Sequence, residues 1–108
     1  MRYNRWEVWN ARVVYDDDPE TVKQRPVLII GRQEFFVLSF KMTGTQRSGD
    51  YPVNDWAKSG LKKATYIQIH RVLKLQERDF ISKRGELQPN DIIGVQKYLE
   101  NIRNCPAT

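Results

Sequence analysis

The hydrophobic and polar residues of this chain alternate over long stretches, and a period of two predicts β-strands. In residues 5–15 the more apolar set is expected to face the core: Glu7, Trp9, Ala11, Val13 and Tyr15. Residues 27–30 form a short run of branched apolar side chains, which predicts a second strand buried on both faces. Pro26 suits the first position of that strand, where no ladder hydrogen bond has to be donated.

The same alternation predicts further strands downstream. Residues 35–42 are expected to form a third strand, and the polar turn at residues 32–34 would join it to the second strand as a hairpin. Residues 51–53 predict a short edge segment. Residues 64–75 alternate again, with Ile67, Ile69, Leu73 and Leu75 facing inward and a bulge or strand end at Arg71.

The period changes near the C-terminus. Residues 76–85 are mostly charged. Phe80 and Ile81 among them are expected either to fill the core or to form a short strand. Pro89 suits the first position of a helix, and four apolar residues then recur at helical spacing: Ile92, Val95, Leu99 and Ile102. The pattern therefore predicts one domain over residues 1–108, mainly β, with a C-terminal α-helix.

The charge of the chain is concentrated in its middle. Residues 1–40 carry six Lys/Arg and six Asp/Glu, and residues 85–108 carry two and three, whereas residues 41–84 carry ten and four. A basic sector of this kind suits a polyanionic partner such as nucleic acid. A lysine-rich solvated surface gives the same numbers, so the charge alone leaves both interpretations open.

Composition narrows the class of protein further. No apolar run approaches the roughly 20 residues that cross a bilayer, and the first residues lack the apolar segment of a signal peptide. We therefore expect a cytoplasmic protein without a membrane partner.

The single Cys105 excludes an internal disulfide. The acidic residues 16–20 are expected to form a solvated loop and not a metal site, because consecutive side chains in a loop point in different directions; no metal or cofactor is predicted.

Three places in the sequence carry candidate chemistry. Arg25 is predicted to lie where a loop meets a buried strand, which fixes its backbone while the guanidinium stays within reach of a ligand. A solvated arginine at the rim of the core would give the same pattern. Residues 43–50 combine hydroxyl groups, glycine and Arg47, as in an ordinary loop or in an edge that contacts phosphate. His70, the only histidine, is predicted to point outward, as a plain surface residue or as a substrate contact.

Several short motifs also follow one another in a characteristic order. The first strand opens with residues 6–9, residues 24–30 follow the first loop, and residues 41–43 close the third strand. Tyr51-Pro52, a strand that carries Gln68, and a turn at residues 85–87 that leads through Pro89 into the last helix complete the set. This ordered set, which spans about residues 6–99, resembles the MazF/PemK family of toxins from type II toxin–antitoxin systems.

The resemblance implies an SH3-like, strongly twisted β-barrel with a C-terminal helix. It also implies a homodimer that cleaves single-stranded RNA at short sequence motifs without a metal, and a cognate antitoxin whose acidic or apolar segment covers the basic groove. The family's catalytic arginine and threonine match Arg25 and Thr43. Two features depart from the family pattern: Trp6-Glu7 replaces the usual glycine-aspartate, and the family's acidic helper in the first loop has only Glu20 as a candidate.

With RNA as the substrate, the candidate binding residues are polar side chains near Arg25 and Thr43 in sequence and on the outer face of residues 64–75. They are Lys23, Gln24, Lys41, Thr45, Gln46, Arg47, Gln68 and His70. RNA can be cut by attack of its own 2′-hydroxyl on the adjacent phosphorus, so the protein has to align the sugar and phosphate and stabilise the phosphorane. A guanidinium can bind two phosphate oxygens at once, but whether Arg25 also moves protons, or whether His70 does, stays open.

Two other classes of function remain compatible with the sequence. One is a protein of the same fold that binds nucleic acid without cutting it, or a CcdB-like toxin that inhibits gyrase through its C-terminal helix. The other is a small β-barrel interaction domain whose basic sector is only solvated surface. Arg25 and Thr43 together favour the ribonuclease, because a gyrase-binding fold does not require either residue.

Overall fold

The structure, a computed structural model, describes residues 3–15 and 18–104. Its elements, in chain order, are β1 (Glu7–Tyr15), β2 (Asp18–Gln33), β3 (Phe36–Thr43), β4 (Tyr51–Pro52), β5 (Tyr66–Leu75), a single 3-10 turn (Glu77–Asp79), β6 (Phe80–Glu86) and α1 (Pro89–Asn104). The strands form one sheet in the order β4-β5-β3-β2-β1-β6, with antiparallel pairing throughout. The predicted mainly β fold with a C-terminal helix is therefore confirmed.

Strand β2 is much longer than the sequence pattern predicts. It begins at Asp18 and pairs with β1 in a hairpin, with Arg25 opposite Ala11 and Pro26 opposite Asn10. The predictions of a strand that starts at Pro26 and of a loop up to Arg25 are therefore wrong. Pro26 is tolerated inside the strand because the pairing of β2 with β3 begins only at Val27, so β1 alone flanks the proline.

Some predicted residues cannot be compared with the structure. Asp16, Asp17 and Cys105 lie outside the described residues, as do the side chains of Glu20 and Ile102. The backbone of Asp18 to Glu20 belongs to β2, so these three residues are not in the loop that was expected at residues 16–20.

The other strand predictions agree closely with the structure. Strand β3 is shifted by one residue from the expected range, because Phe35 is in the turn and is 81% exposed. In β5, Ile67, Ile69 and Leu75 are buried and Leu73 is half-buried. The pairing of β5 with β3 shifts register between Phe40 and Met42, so the predicted irregularity near Arg71 is also confirmed.

The buried side chains of the described residues form two clusters, one on each face of the sheet. Val8, Leu28, Phe40 and Ile67 belong to the larger cluster, which α1 and the segment after β4 cover. Ala11, Val13, Val27, Ile29 and Phe80 belong to the smaller one. The prediction of a single core face for β1 is therefore wrong, because this strand lies between β2 and β6 and buries Val8 on its other side. Of the two residues predicted for β6, Phe80 is buried and Ile81 is exposed.

The segment after β4 connects the two ends of the sheet. Strands β4 and β6 lie at opposite edges, yet the Arg84 guanidinium of β6 donates a hydrogen bond to the Gly60 carbonyl at 3.1 Å. A side chain at Gly60 or at Gly85 would collide with the backbone of the other segment. This close approach curls the sheet toward a barrel, as predicted.

Helix α1 is attached to the sheet through one buried carboxylate. Asp91, in its first turn, is fully buried and accepts hydrogen bonds from the Tyr51 hydroxyl at 2.8 Å and from the backbone N–H groups of Asn54 and Asp55, both at 2.9 Å. Burial, together with the hydrogen bond to Asp91 and its charge, raises the pKa of Tyr51 above its usual range. Gly94 lies against the Tyr51 ring, which explains a glycine inside the helix.

A second buried carboxylate holds the start of β1. Glu7 is 5% exposed; it accepts hydrogen bonds from the Asn4 backbone N–H at 3.0 Å and the Trp9 indole N–H at 3.0 Å, and it pairs with the Lys83 ammonium at 2.9 Å. Burial alone would raise the pKa of Glu7, but these donors outweigh it and lower the pKa to about 2. Glu7 therefore ties β1 to β6.

Within the described part of the chain, no helix has both the length and the apolar character that a membrane span requires.

Candidate nucleic-acid interface

A polar cleft of about 400 Å³ opens beside the ends of β2 and β3. It is lined by Arg25, Pro26, Lys41, Met42, Thr43, Gly44, Thr45, Arg47, Lys63, Thr65 and Gln68. Both predicted catalytic residues, Arg25 and Thr43, are among them. The cleft is thus built from neighbouring strands of the sheet and from the segment that follows β3.

The strand register explains why Arg25 and Thr43 meet. Val27 of β2 is paired with Lys41 of β3. Because side chains on a strand alternate between faces, Arg25 shares the face of Val27, and Thr43 shares the face of Lys41. The pairing ends at Val27 and Lys41, and two residues beyond it Arg25 and Thr43 both line the cleft. Both residues belong to strands and not to a loop.

A local turn orients the Thr43 hydroxyl. The backbone N–H of Thr45 donates to Thr43 Oγ1 at 3.3 Å. Since a hydroxyl carries one proton and accepts through its oxygen, the Thr43 proton can still be donated to a ligand in the cleft. The structure thus allows Thr43 to donate to an anion while its own oxygen is held by the backbone.

The cleft is strongly basic. Arg25, Lys41, Arg47 and Lys63 all line it, and none of its eleven lining residues in the described part of the chain is acidic. Arg25 is half-buried at the base of a β-ladder, whereas Arg47 and Lys63 are exposed. Cations gathered in a concave surface raise the local concentration of anionic ligands. The arrangement suits a phosphodiester chain that passes through the cleft.

Sequence reasoning missed Lys63 and Thr65 as site residues. Lys63 reaches the cleft because Gly44 has no side chain: a Cβ at Gly44 would lie only 2.9 Å from Lys63 Cε. The Thr65 hydroxyl donates to the Lys63 carbonyl at 2.9 Å and holds that backbone in place. The only signal in the sequence was that Lys63 belongs to the basic sector. That signal does not predict that the segment before β5 passes beside the cleft.

The predicted RNA-binding residues divide into two groups. Lys41, Thr45, Arg47 and Gln68 line the cleft with Arg25 and Thr43, whereas Lys23, Gln24, Gln46 and His70 do not.

The alternation of β2 accounts for one of the displaced residues. Gln24 lies opposite Arg12 and belongs with it, Val22 and Asp79 to a separate shallow cleft. Gln24 therefore faces away from Arg25. Lys23 lies opposite Val13 and is exposed.

Gln46 and His70 also lie outside the first cleft. Gln46 lines a neighbouring cleft that shares Arg47 with the first one. His70 Nε2 lies 3.1 Å from the Gly49 carbonyl oxygen. The imidazole therefore supports the turn after β3 and does not line the cleft that contains Arg25.

Residues 3–15 and 18–104 contain no group of three or more His, Cys, Asp or Glu side chains placed to hold a metal ion together. The polar groups of the cleft are guanidinium, ammonium, hydroxyl and amide groups. The cationic groups bind anions, and no described residue that lines the cleft supplies the carboxylate that hard divalent cations prefer.

Comparison with known proteins identifies the family. The sequence profile of the PemK-like, MazF-like toxins of type II toxin–antitoxin systems matches residues 4–102. The chain belongs to this toxin family. No curated protein has a sequence that matches the chain significantly.

Solved structures share the fold of this PemK-like toxin. One is an endoribonuclease in complex with its cognate antitoxin from a mycobacterial species, with a TM-score of 0.72, 15% sequence identity and 100% coverage of both chains. Another is the Mycobacterium tuberculosis toxin MazF-mt6, with a TM-score of 0.68, 20% identity, and coverage of 92% of this chain and 99% of that one. At these identities the likeness demonstrates the fold, and the chemistry has to be argued from the cleft.

Proposed function

We propose that this PemK-like toxin is an endoribonuclease that cleaves single-stranded RNA in the cleft between β2 and β3. The observation that carries the proposal is that Arg25 and Thr43 line one cleft together with three further cations. Family membership supports a toxin, and the cleft supplies the groups that a phosphodiester requires. The proposed enzyme acts without a metal ion or other cofactor.

The reaction that suits these groups is an intramolecular transfer at phosphorus. The 2′-oxygen of the RNA forms a bond to the adjacent phosphorus, and the bond from phosphorus to the 5′-oxygen breaks. The products are a 2′,3′-cyclic phosphate and a 5′-hydroxyl, and the proton lost from the 2′-hydroxyl is balanced by the proton gained at the 5′-oxygen. Arg25 binds the non-bridging oxygens and stabilises the charge that grows on them. Thr43 donates a hydrogen bond to the same phosphate and aligns it.

The remaining cleft residues bind the flanking chain. Lys41, Arg47 and Lys63 contact neighbouring phosphates, and Thr45 and Gln68 offer neutral hydrogen bonds to sugar or base. Lys23, Gln24, Gln46 and His70, which do not line this cleft, can contact the RNA only outside the reacting nucleotides. His70 has no proton-transfer role in this proposal, because its imidazole supports the Gly49 carbonyl.

The test is a cleavage assay on a long single-stranded RNA in EDTA. We expect discrete fragments with cyclic-phosphate ends. Arg25→Ala and Thr43→Ala should each reduce the rate about 100-fold or more, as the loss of one transition-state donor does elsewhere. Arg25→Lys keeps the charge but loses the two-pronged contact, so it should also be impaired.

The matched control is Arg78→Ala, which removes an exposed arginine from the 3-10 turn and should cut at the wild-type rate. Intact RNA over several substrates would refute the proposal and favour the non-cutting binder or the gyrase inhibitor. Cleavage that survives in Arg25→Ala would refute the assigned catalytic role.

The proposal includes a protein partner and a second copy of the chain. An antitoxin with an acidic or apolar segment could cover the basic cleft and block the substrate, which would place both proteins with RNA in the cytoplasm. Exposed apolar side chains such as Phe35, Val72 and Ile93 are available for contact between two copies. Light scattering of the purified toxin, alone and with its antitoxin, would test both associations.

A further inference from the structure

A second cleft, of about 450 Å³, lies next to the first. Its walls include Gln46, Arg47, Gly49, Asp50, Pro52 and Tyr98. Arg47 lines both clefts, so the two are neighbours on the surface. A nucleic-acid strand that enters the first cleft can therefore reach the second one within a short distance.

Asp50 is the unusual residue of this second cleft. It is only 8% exposed, and its Oδ2 atom is buried without a hydrogen-bond partner among the described residues. A buried polar atom without a partner is destabilising, and nearly all such atoms in folded proteins are satisfied. Asp50 lines the second cleft, and a rotation of its side chain would turn Oδ2 toward a ligand that supplies the missing donor.

The backbone around Asp50 is held on both sides. Its own N–H donates to the Arg47 carbonyl at 3.1 Å, and the preceding Gly49 has a φ of 88°, with its carbonyl 3.1 Å from His70 Nε2. The following residue, Tyr51, is fixed by its hydrogen bond to the buried Asp91. The backbone that carries Asp50 is therefore fixed before any ligand arrives, which lowers the entropic cost of binding.

An aromatic ring forms another wall of the cleft. Tyr98 is 38% exposed and packs edge-on against Tyr51, with ring centroids 5.0 Å apart and an interplanar angle of 87°. This contact holds the Tyr98 ring in place while part of it faces the solvent. A fixed and partly exposed aromatic ring is the usual platform on which an unpaired base stacks.

We propose that the second cleft holds one nucleobase of the RNA, and that Asp50 selects a base with an exocyclic amino group. The inference rests on the proposed function in taking RNA as the ligand. Cytosine, adenine and guanine each offer an amino N–H that can donate to the free Oδ2, as cytosine N4 does to carboxylates elsewhere. Uracil is disfavoured, because its single N3–H lies between two carbonyl oxygens that a carboxylate repels.

Charge and continuity favour RNA over a protein ligand in this cleft. Asp50 could also bind a lysine or arginine of a partner protein. However, Arg47 lines this cleft as well as the first one; its charge would repel a basic side chain and attract a phosphate. A base flanked by phosphates satisfies both Arg47 and Asp50, whereas a basic peptide satisfies only Asp50.

The test measures the binding of short 2′-O-methyl RNAs, which lack the attacking hydroxyl and stay intact. Each position is varied in turn through the four bases and an abasic sugar. We expect one position at which the wild-type toxin disfavours uracil. Asp50→Asn replaces an acceptor with an amide that can donate to a uracil carbonyl, so at that position it should lose about tenfold in affinity for the preferred base and gain relative affinity for uracil.

A second variant covers the case in which Asp50→Asn does not fold, which thermal unfolding would show. Tyr98→Leu keeps apolar bulk but removes the stacking surface. It should weaken the binding of RNA with a base at that position about tenfold, while RNA that is abasic there should bind as it does to the wild type. Glu100→Gln is the control, since it removes an exposed carboxylate from the same helix and should leave base preference unchanged.

The outcomes separate this inference from the proposed function. Unchanged base preference in folded Asp50→Asn, or equal effects of Tyr98→Leu on RNA with and without the base, would overturn it. A loss in Asp50→Asn that appears only with lysine-rich or arginine-rich peptides would overturn it in favour of a protein ligand. The expected base preference in a toxin that leaves unmodified RNA intact would support the inference and refute only the proposed catalysis.

Discussion

Single residues in this protein act through partners that are far away in the sequence. The hydroxyl of Thr43 is held by the N–H of Thr45, and its proposed role depends on Arg25 of β2, which lines the same cleft. Lys63 enters the same cleft because Gly44 leaves space for its stem. A substitution at Gly44 would therefore act on a cation nineteen positions away in the sequence.

Glu7 allows a prediction of stability against pH. Its folded-state pKa of about 2 lies below the ordinary value of 4.5. Its carboxylate therefore stabilises the fold fully above pH 4.5, and this contribution is lost as the pH falls from about 4.5 to about 2. The shift corresponds to at most about 3 kcal/mol.

Urea unfolding at several pH values between 2.5 and 7 would measure this contribution. Glu7→Gln should be less stable than the wild type at pH 7, and the difference should shrink as the pH falls. Glu86→Gln is the matched control, since Glu86 also contacts Lys83, at 3.2 Å, but is largely exposed. A constant difference between Glu7→Gln and the wild type at all pH values would contradict the role assigned to the Glu7 charge.

Among the elements, helix α1 depends on a glycine that helix propensity disfavours. Gly94→Ala would gain about 1 kcal/mol from propensity alone, but the new methyl group would collide with the Tyr51 ring. Overpacking of this kind costs about 1–3 kcal/mol. We therefore expect Gly94→Ala to be destabilised, with a lower melting temperature.

Gly31→Ala is the control for that experiment. No atom lies within 4 Å of the position of its new methyl group, so the variant should be neutral or slightly stabilised through its less flexible unfolded chain. A Gly94→Ala protein that melts above the wild type would show that α1 does not press on Tyr51 as the structure indicates.

Sequence periodicity predicted those elements that have one buried face and one exposed face. Strand β5 alternates because one side faces a core, and α1 begins at Pro89 as expected. Periodicity failed to predict the first half of β2. The residues just before Pro26 are polar and do not alternate, and their pairing with β1 is not visible in the sequence. The sequence predicted only that Asp91 suits the first turn of the helix. It could not predict the hydrogen bonds from Tyr51, Asn54 and Asp55, because these residues are distant from Asp91 in the sequence.

The candidate site was predictable to a similar extent. Arg25 and Thr43 were assigned by family resemblance, and the register of β2 and β3 explains why they lie together. Gln24 was assigned by its closeness to Arg25 in sequence, but on a strand the next residue points to the other face. Closeness in sequence therefore predicted side-chain direction on β2 poorly, whereas it placed Thr45 and Arg47 of the following loop in the cleft correctly.

For the whole molecule, the net charge of +5 matters less than its placement. The four cations of the cleft, Arg25, Lys41, Arg47 and Lys63, come from three separate parts of the chain. A strand of RNA that contacts all four would release about four counterions. For a single strand, the logarithm of the binding constant should then fall with the logarithm of salt concentration with a slope of about −3.

Lys63→Gln provides a sharp test of this count, because Lys63 was not recognisable as a site residue from the sequence. With an uncleavable 2′-O-methyl RNA, the variant should bind more weakly at low salt, and its slope should be less steep by about 0.7. Lys97→Gln removes an exposed charge from α1 and should leave the slope unchanged, since a charge outside the path of the RNA displaces no counterion. Equal slopes for the wild type and both variants would mean that the RNA does not pass through this cleft, whereas equal reductions in both variants would mean that binding follows net charge alone.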